Sequence, residues 1–220
     1  MNRDPWRHPA RRAVAGARAV CQGLLGVALI ALAAFVLLPS ANAAEAAAPI
    51  TLEDQTFPAD ANVAGTALRL NGVGLRAAFI YKVYVAGLYL PTPASTGSGV
   101  IAETGAKRLQ VRLLMDGPSD EFAKAFTGGI ARRTPAGQVA AMRDRIAAFD
   151  RTLRGVGNVH KGDVVNLDYA PGIGLTMTVN GKPAGAPVPG ADLYGALLAI
   201  FVGDQPVDAR MKAGILGAAS

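Results

Sequence analysis

The sequence is poor in the residues that build metal centres and nucleophilic active sites. It contains one cysteine, Cys21, and two histidines, of which only His160 lies beyond residue 43. A single cysteine cannot form an internal disulfide, and a zinc site built from cysteines is excluded. No serine occupies a G-x-S-x-G motif, so the pattern typical of many serine hydrolases is absent too. We therefore predict neither a metal nor a cofactor.

Long apolar runs are also scarce, and the longest one lies near the start of the chain. Residues 23–38 carry no charge, but this stretch falls short of the roughly 20 residues that cross a bilayer as a helix. Five arginines precede it, and Ala41-Asn42-Ala43 follows it. A basic start, a short apolar stretch and an A-x-A end form a secretory signal peptide. We predict a cleavable signal peptide at residues 1–43, a periplasmic or secreted location and no membrane span in the mature form; an uncleaved anchor is the alternative.

Excess positive charge is largely confined to this predicted signal peptide. The chain has 22 Lys and Arg against 16 Asp and Glu, and 17 against 15 remain beyond residue 43. The mature form is then close to neutral, at about +2. The high isoelectric point therefore gives no support to a nucleic-acid partner, and we predict none.

Beyond residue 43, the sequence predicts a disordered leader at residues 44–50 and a single domain at residues 51–217. The strongest strand pattern covers residues 79–90, where both alternating faces are apolar, as in a central strand covered on both sides. Asn180-Gly181 predicts a type I′ hairpin. Other strands are predicted at residues 51–58, 63–71, 108–115, 163–169 and 175–179, with a turn or bulge at 72–74, and helices at 95–103, 119–133, 135–153, 192–202 and 207–216. This order favours an α+β fold with an antiparallel sheet.

The helix at residues 119–133 carries charges that suit its dipole. Ser119 is the predicted N-cap, and acidic residues follow it in the first turn. Arg132 and Arg133 occupy the last turn, where positive charge is favourable. The acidic and the basic residues both suit the helix dipole.

Several motifs, taken in order along the chain, carry a family resemblance. They are Leu70-Asn71-Gly72-Val73-Gly74-Leu75-Arg76, Lys82–Leu90, Lys161–Val165, Asp168–Gly174, Val179–Lys182, Pro189–Asp192, Ala196–Leu198, Gly203–Asp208 and Leu216-Gly217. Over roughly residues 51–217 the chain resembles bacterial chalcone-isomerase-like proteins. The resemblance implies an open-faced β-sandwich, in which a large antiparallel sheet is layered with helices and a ligand cleft lies between the layers.

The resemblance also implies candidate site residues. Plant members cyclise chalcones with an Arg and a Thr, but those positions correspond here to Gly72 and Tyr84, which argues against flavonoid cyclisation. Related members bind fatty acids through an Arg and a Tyr, which Arg76 and Tyr84 resemble. On one straight strand these two residues would lie about 26 Å apart, so a shared ligand requires a turn or bulge near Ala77-Ala78.

Three functions remain open from the sequence. The first is a non-catalytic binder of a lipophilic small molecule such as a fatty acid. The second is a cofactor-independent isomerase or intramolecular lyase, with Arg76 as electrophile and Tyr84 as an orienting or acid–base group. The third is a structural envelope protein, in which Arg76 forms an ion pair and Tyr84 belongs to the core. A mostly apolar pocket with Arg76 at one end would favour the first two.

Overall fold

A computed structural model describes residues 48–217 of the chain. The predicted signal peptide lies outside the described residues, and so do residues 44–47 of the predicted leader. The first strand begins at Ile50, which the sequence assigned to that leader. The strands are β1 (Ile50–Leu52), β2 (Gln55–Phe57), β3 (Asp60–Val63), β4 (Thr66–Ala78), β5 (Tyr81–Leu90), β6 (Lys107–Leu113), β7 (Gly117–Pro118), β8 (Asn158–Val159), β9 (Val164–Ala170), β10 (Gly174–Val179) and β11 (Lys182–Val188). The helices are α1 (Gly97–Ala102), α2 (Ser119–Arg133), α3 (Ala136–Ala141), α4 (Arg143–Arg154), α5 (Ala191–Val202) and α6 (Ala209–Ile215).

Seven strands form one curled antiparallel sheet in the order β11-β10-β9-β6-β5-β4-β3. Short antiparallel pairs, β1 with β2 and β7 with β8, lie outside this sheet. Consecutive strands joined by tight turns pair directly, which is why the β3–β4–β5 and β9–β10–β11 meanders form the two sides of the sheet. The predicted α+β class with a large antiparallel sheet is confirmed.

Two apolar clusters cover the two faces of the sheet. On one face, residues of β5, β6, β9 and β10 pack with residues of α1, α2, α4, α5 and α6. On the other face, Phe57 of β2 packs with residues of β4 and β5. Strand β5 contributes Ala86 and Leu88 to the first cluster and Val85 and Tyr89 to the second. The prediction of a central strand with two apolar faces is confirmed.

The start of that strand was predicted wrongly. Phe79 and Ile80 belong to the turn between β4 and β5, and the strand begins at Tyr81. Strand β4 also continues through Gly72-Val73-Gly74, with a register shift between Leu70 and Gly72. Glycine is needed at residue 74 because a Cβ there would overlap the carbonyl oxygen of Met211 in α6. These glycines therefore allow a helix to approach the sheet closely.

The helix predictions need two corrections, one to an N-cap and one to a helix that is divided. Helix α2 spans Ser119–Arg133 as expected, but Pro118 is its N-cap, and the Ser119 hydroxyl instead donates to the carbonyl oxygen of Arg154 at 3.3 Å. The single helix predicted at residues 135–153 is divided at Met142 into α3 and α4. Asn180 and Gly181 have φ values of 51° and 77°, as a type I′ turn requires.

Candidate functional site

A cavity of about 180 Å³ lies between the sheet and helices α2, α4 and α5. Its floor consists of residues of β5, β6, β9 and β10, and its lining is mostly aliphatic and aromatic. Side chains able to hydrogen-bond are few: the lining includes Tyr84, Ser119, Arg132 and Arg133. An apolar space with a few polar groups is the usual form of a small-molecule site. The cleft between layers that the resemblance implied is present.

The volume limits what the cavity can hold without opening. It slightly exceeds the roughly 150 Å³ of an engineered cavity that binds benzene. It is smaller than the roughly 300–1,000 Å³ of pockets for drug-sized ligands. By scaling from benzene, it accommodates on the order of six to eight carbon atoms. Long acyl chains would need the helices to move or would extend out of the cavity.

The hairpin of β4 and β5 brings the two predicted site residues together. The chain turns at Phe79-Ile80, the register shifts between Arg76 and Ala77, and Arg76 becomes the direct cross-strand partner of Tyr84. Direct cross-strand partners have Cβ atoms about 4.5–5.5 Å apart and lie on the same face. The distance of about 26 Å between Arg76 and Tyr84 on one straight strand therefore does not apply to the folded chain. The turn that a shared ligand requires lies one residue beyond Ala77-Ala78.

Tyr84 lies on the cavity wall with its ring centroid 6.5 Å from that of Phe201. Burial raises the pKa of its hydroxyl well above the usual range; the Arg76 charge opposes this shift and the Asp208 charge adds to it. The hydroxyl is therefore protonated at neutral pH. It can donate a hydrogen bond to a ligand, and it is a poor general base.

Arg76 is not among the residues that line the cavity; it lies beside Tyr84, its cross-strand partner, and an acidic neighbour holds it there. Its Nη1 atom lies 3.4 Å from Oδ2 of Asp208 and also donates to the carbonyl oxygen of Ala77. Asp208 is the N-cap of α6, where its Oδ1 accepts from the backbone nitrogens of Arg210 and Met211 at 2.9 and 3.0 Å. The ion pair is long and monodentate, so a ligand carboxylate that offers two oxygens can compete with Asp208 for Arg76.

A second arginine reaches the cavity directly, and the sequence did not single it out. Arg133 lines the cavity and donates to the carbonyl oxygens of Gln205 and Gly129, the latter at 3.1 Å. Burial lowers its pKa, and the charge of Arg132 adds to this effect. Within residues 48–217, no carboxylate oxygen lies within 4 Å of the Arg133 side chain.

Helical spacing was the signal that could have identified Arg133. Phe126 and Ile130 are buried, and Arg133 follows them by seven and three positions, on the same face of α2. The sequence indicated only that a positive charge suits the end of this helix. An arginine on a buried helical face needs a hydrogen-bonding partner, and the helical spacing alone is enough to predict this.

Both arginines contact the segment between α5 and α6. Arg133 binds Gln205 and Arg76 binds Asp208, and these two positions span at most about 11 Å of extended chain. Val207, between them, lines the cavity. Tyr84, Arg76 and Arg133 therefore lie near the same end of the cavity, which becomes its polar end.

Two other types of site find no support in the part of the chain that the structure describes. Residues 48–217 contain no group of three or more His, Cys, Asp or Glu residues that could hold a metal ion. His160 is exposed in a loop. Among the same residues, no helix combines the length and the hydrophobicity that crossing a bilayer requires.

Comparisons with known proteins agree with this architecture. A family model described as chalcone isomerase-like matches residues 49–217. A crystal structure of a fatty-acid binding protein from Arabidopsis thaliana is similar, with a TM-score of 0.59 and 15% sequence identity, covering 76% of this chain and 95% of that one. At this identity the similarity shows the fold. No curated protein sequence matches the chain.

Proposed function

This chain belongs to the chalcone isomerase-like family, and we propose that it binds a lipophilic carboxylic acid, such as a fatty acid, without transforming it. One observation carries the proposal: a mostly apolar cavity is lined by Arg133 and by a protonated Tyr84, and Arg76 pairs with that tyrosine across the β4–β5 hairpin. The apolar part suits an acyl chain, and the polar end suits a carboxylate. A fatty-acid binding protein with the same fold is consistent with this ligand class.

Tyr84 and Arg76 are the first candidates for holding the carboxylate. The guanidinium can donate two parallel hydrogen bonds to a carboxylate, and the Tyr84 hydroxyl can donate a third. Their direct pairing across the β4–β5 hairpin supports a shared ligand. Arg133 is the second candidate donor, because it faces the cavity and is bonded only to neutral carbonyl groups in the described chain.

Binding without catalysis fits the state of these groups better than isomerisation does. A tyrosine acting as a general base needs a lowered pKa, whereas burial raises the pKa of Tyr84, which opposes the general-base role and leaves that of a hydrogen-bond donor. Arg76 lies against Asp208, which weakens it as an electrophile for a developing negative charge. Both groups can still donate hydrogen bonds to a fully charged carboxylate.

Export of the protein is part of the proposal and rests on residues 1–43. Their basic start, apolar run and A-x-A end favour a periplasmic or secreted location. A carrier of lipophilic acids is useful in such a compartment, because these molecules dissolve poorly in water.

Calorimetric titration with straight-chain acids of increasing length tests the proposal. We expect acids of about six to eight carbons to bind most tightly, and the matching methyl esters to bind at least tenfold more weakly. Arg76→Ala should reduce affinity about tenfold or more, because a hydrogen bond to a charged group contributes roughly 1.5–3 kcal/mol. Arg69→Ala is the matched control, since Arg69 lies on the same strand but is exposed.

Each result has a distinct meaning. If Arg133→Ala abolishes binding while Arg76→Ala leaves it unchanged, the carboxylate lies against α2 and the Arg76 assignment is wrong. Equal affinity for acids and methyl esters would reject a carboxylate ligand. Failure of every acid to bind would reject the proposal and favour a structural role.

A further inference from the structure

The turn between β4 and β5 exposes three consecutive apolar side chains. Phe79, Ile80 and Tyr81, here called the tip segment, are 104%, 86% and 61% exposed. Phe79 also has a φ of 54°, a left-handed conformation that is unusual for a bulky residue. Exposed apolar patches commonly mark surfaces that bind a protein or a membrane.

We propose that the tip segment inserts into the surface of a lipid bilayer. Its small area favours a bilayer over a protein partner. Full burial of an aromatic side chain covers about 150–250 Å², so three side chains offer roughly 500 Å², below the roughly 800 Å² per partner of a standard stable protein interface. A fluid bilayer needs no complementary surface, so a narrow convex tip can enter it.

The charges beside the tip segment favour neutral lipid. The Nζ atom of Lys82, the next residue, lies 2.6 Å from Oε2 of Glu53 in the β1–β2 turn. This pair leaves little net charge for anionic headgroups to attract. Tyr81 is the tip residue nearest the domain, and its amphipathic ring suits the depth of the headgroups. Docking should therefore depend weakly on salt and on anionic lipid.

The tip segment is continuous with the polar end of the cavity. Tyr81 and Tyr84 are three residues apart on β5, about 10 Å at roughly 3.3 Å per residue. Segments that insert at the bilayer interface typically reach about 5–10 Å into the headgroup and acyl boundary. Docking would then hold the cavity close to the headgroups, where lipophilic acids partition. This last step rests on the proposed function, whereas docking itself does not.

A reporter placed in the tip segment tests the proposal with the full chain. The only tryptophan, Trp6, is removed by Trp6→Phe, and Ile80→Trp places an indole in the tip segment. The matched control is Ile173→Trp, because Ile173 is 46% exposed in the β9–β10 turn, at the opposite end of the sheet. Both variants are mixed with phosphatidylcholine vesicles that contain brominated lipid. A local reporter separates insertion of the tip segment from any vesicle binding by the apolar run at residues 23–38.

We expect brominated lipid to quench the indole of Ile80→Trp at least fivefold more than that of Ile173→Trp, with little change at high salt. Adding Phe79→Ser should reduce the quenching severalfold while the calorimetric affinity for acids in lipid-free solution stays the same. Equal quenching at both positions, or none at residue 80, overturns the proposal. A dimer that Phe79→Ser dissociates, with an unquenched indole, would assign the tip segment to a second copy of the chain. Because acid binding is measured without lipid, failure of docking and failure of the proposed function are distinguishable.

Discussion

The two ends of the seven-stranded sheet use similar residues in different ways. At the end where β6 begins, here called the closed end, polar groups are buried and fully partnered. Arg108 makes two hydrogen bonds to Asp168, at 2.7 and 2.6 Å, and the Tyr194 hydroxyl donates to the carbonyl oxygen of Leu167 at 2.9 Å. Tyr194 also stacks on Tyr169, with ring centroids 5.4 Å apart. These hydrogen bonds and the stacked rings stabilise the closed end.

The opposite end, here called the open end, is where β5 begins and where the cavity has its polar groups. Its ion pair, Arg76 with Asp208, has a single contact at 3.4 Å. Arg133 is bonded to neutral carbonyl groups, and the tip segment is exposed. The same residue types that stabilise the closed end thus retain unused hydrogen-bonding capacity at the open end. Such capacity is what a carboxylate ligand can use.

The largest expected difference between the two ends is in stability. Tyr194→Ala should reduce the free energy of unfolding by about 3–5 kcal/mol, because it removes a fully buried aromatic ring and its hydrogen bond. Tyr84→Ala should cost less than about 2 kcal/mol, because Tyr84 already faces a cavity. Urea denaturation measures both values. Equal losses would show that Tyr84 is an ordinary core residue and that the open end is as tightly packed as the closed end.

Much of this architecture could be predicted from the sequence, and the exceptions have physical reasons. The two apolar faces of β5 and the Asn180-Gly181 turn follow from local patterns, which short-range geometry determines. The predicted turn or bulge at residues 72–74 is borne out as a register shift at Gly72 rather than as a turn, but sequence cannot show that a helix more than a hundred residues later packs against Gly72 and Gly74.

The site was less predictable than the fold. Arg76 and Tyr84 were selected by family resemblance, and their proximity depends on where a hairpin turns. Phe79 and Ile80 favour a strand by composition, yet they form that turn, so a pattern of apolar residues alone misplaces it. Arg133 was overlooked because its charge had a sufficient explanation in the helix dipole.

A pair of isosteric substitutions sharpens the comparison between the two ion pairs. Asp208→Asn keeps an oxygen that can cap α6 but removes the charge that holds Arg76. We expect stability to change by less than about 1 kcal/mol and acid affinity to rise severalfold, since Arg76 is released for the ligand. Asp168→Asn should instead cost about 1–3 kcal/mol and leave affinity unchanged, because its two hydrogen bonds are largely buried.

Calorimetry and urea denaturation of the two variants check these expectations together. A weaker acid affinity in Asp208→Asn would mean that Asp208 positions Arg76 for the ligand rather than competing with it. An affinity loss in Asp168→Asn would contradict the separation of the two ends, because that residue lies far from the cavity's polar end.

The smallest expected effect is a pH-dependent contribution to the free energy of unfolding, which differs between the two ends of the sheet. At the closed end, hydrogen bonds from Arg145 at 2.5 and 2.7 Å lower the pKa of Asp192. At the open end, hydrogen bonds from the side chain of Asn180 and the backbone of His160 lower the pKa of Asp163. A carboxyl group whose pKa is lower in the folded protein than in the unfolded chain stabilises the fold at pH values above its unfolded pKa, near 3.9. This stabilisation is lost as the pH falls through the pKa of the folded state.

Asp192→Asn and Asp163→Asn should therefore each flatten the decrease in stability below about pH 4, measured by urea denaturation across pH. The Asp192 effect should be well under about 1 kcal/mol, because its side chain is 56% exposed and solvent screens the pair. Added salt should weaken it further, since its partner is a cation. The Asp163 effect should resist salt better, because its largest contribution comes from a neutral amide. If salt abolishes both effects equally, charge pairing with His160 dominates at the open end, and neutral hydrogen bonding does not distinguish the two carboxylates.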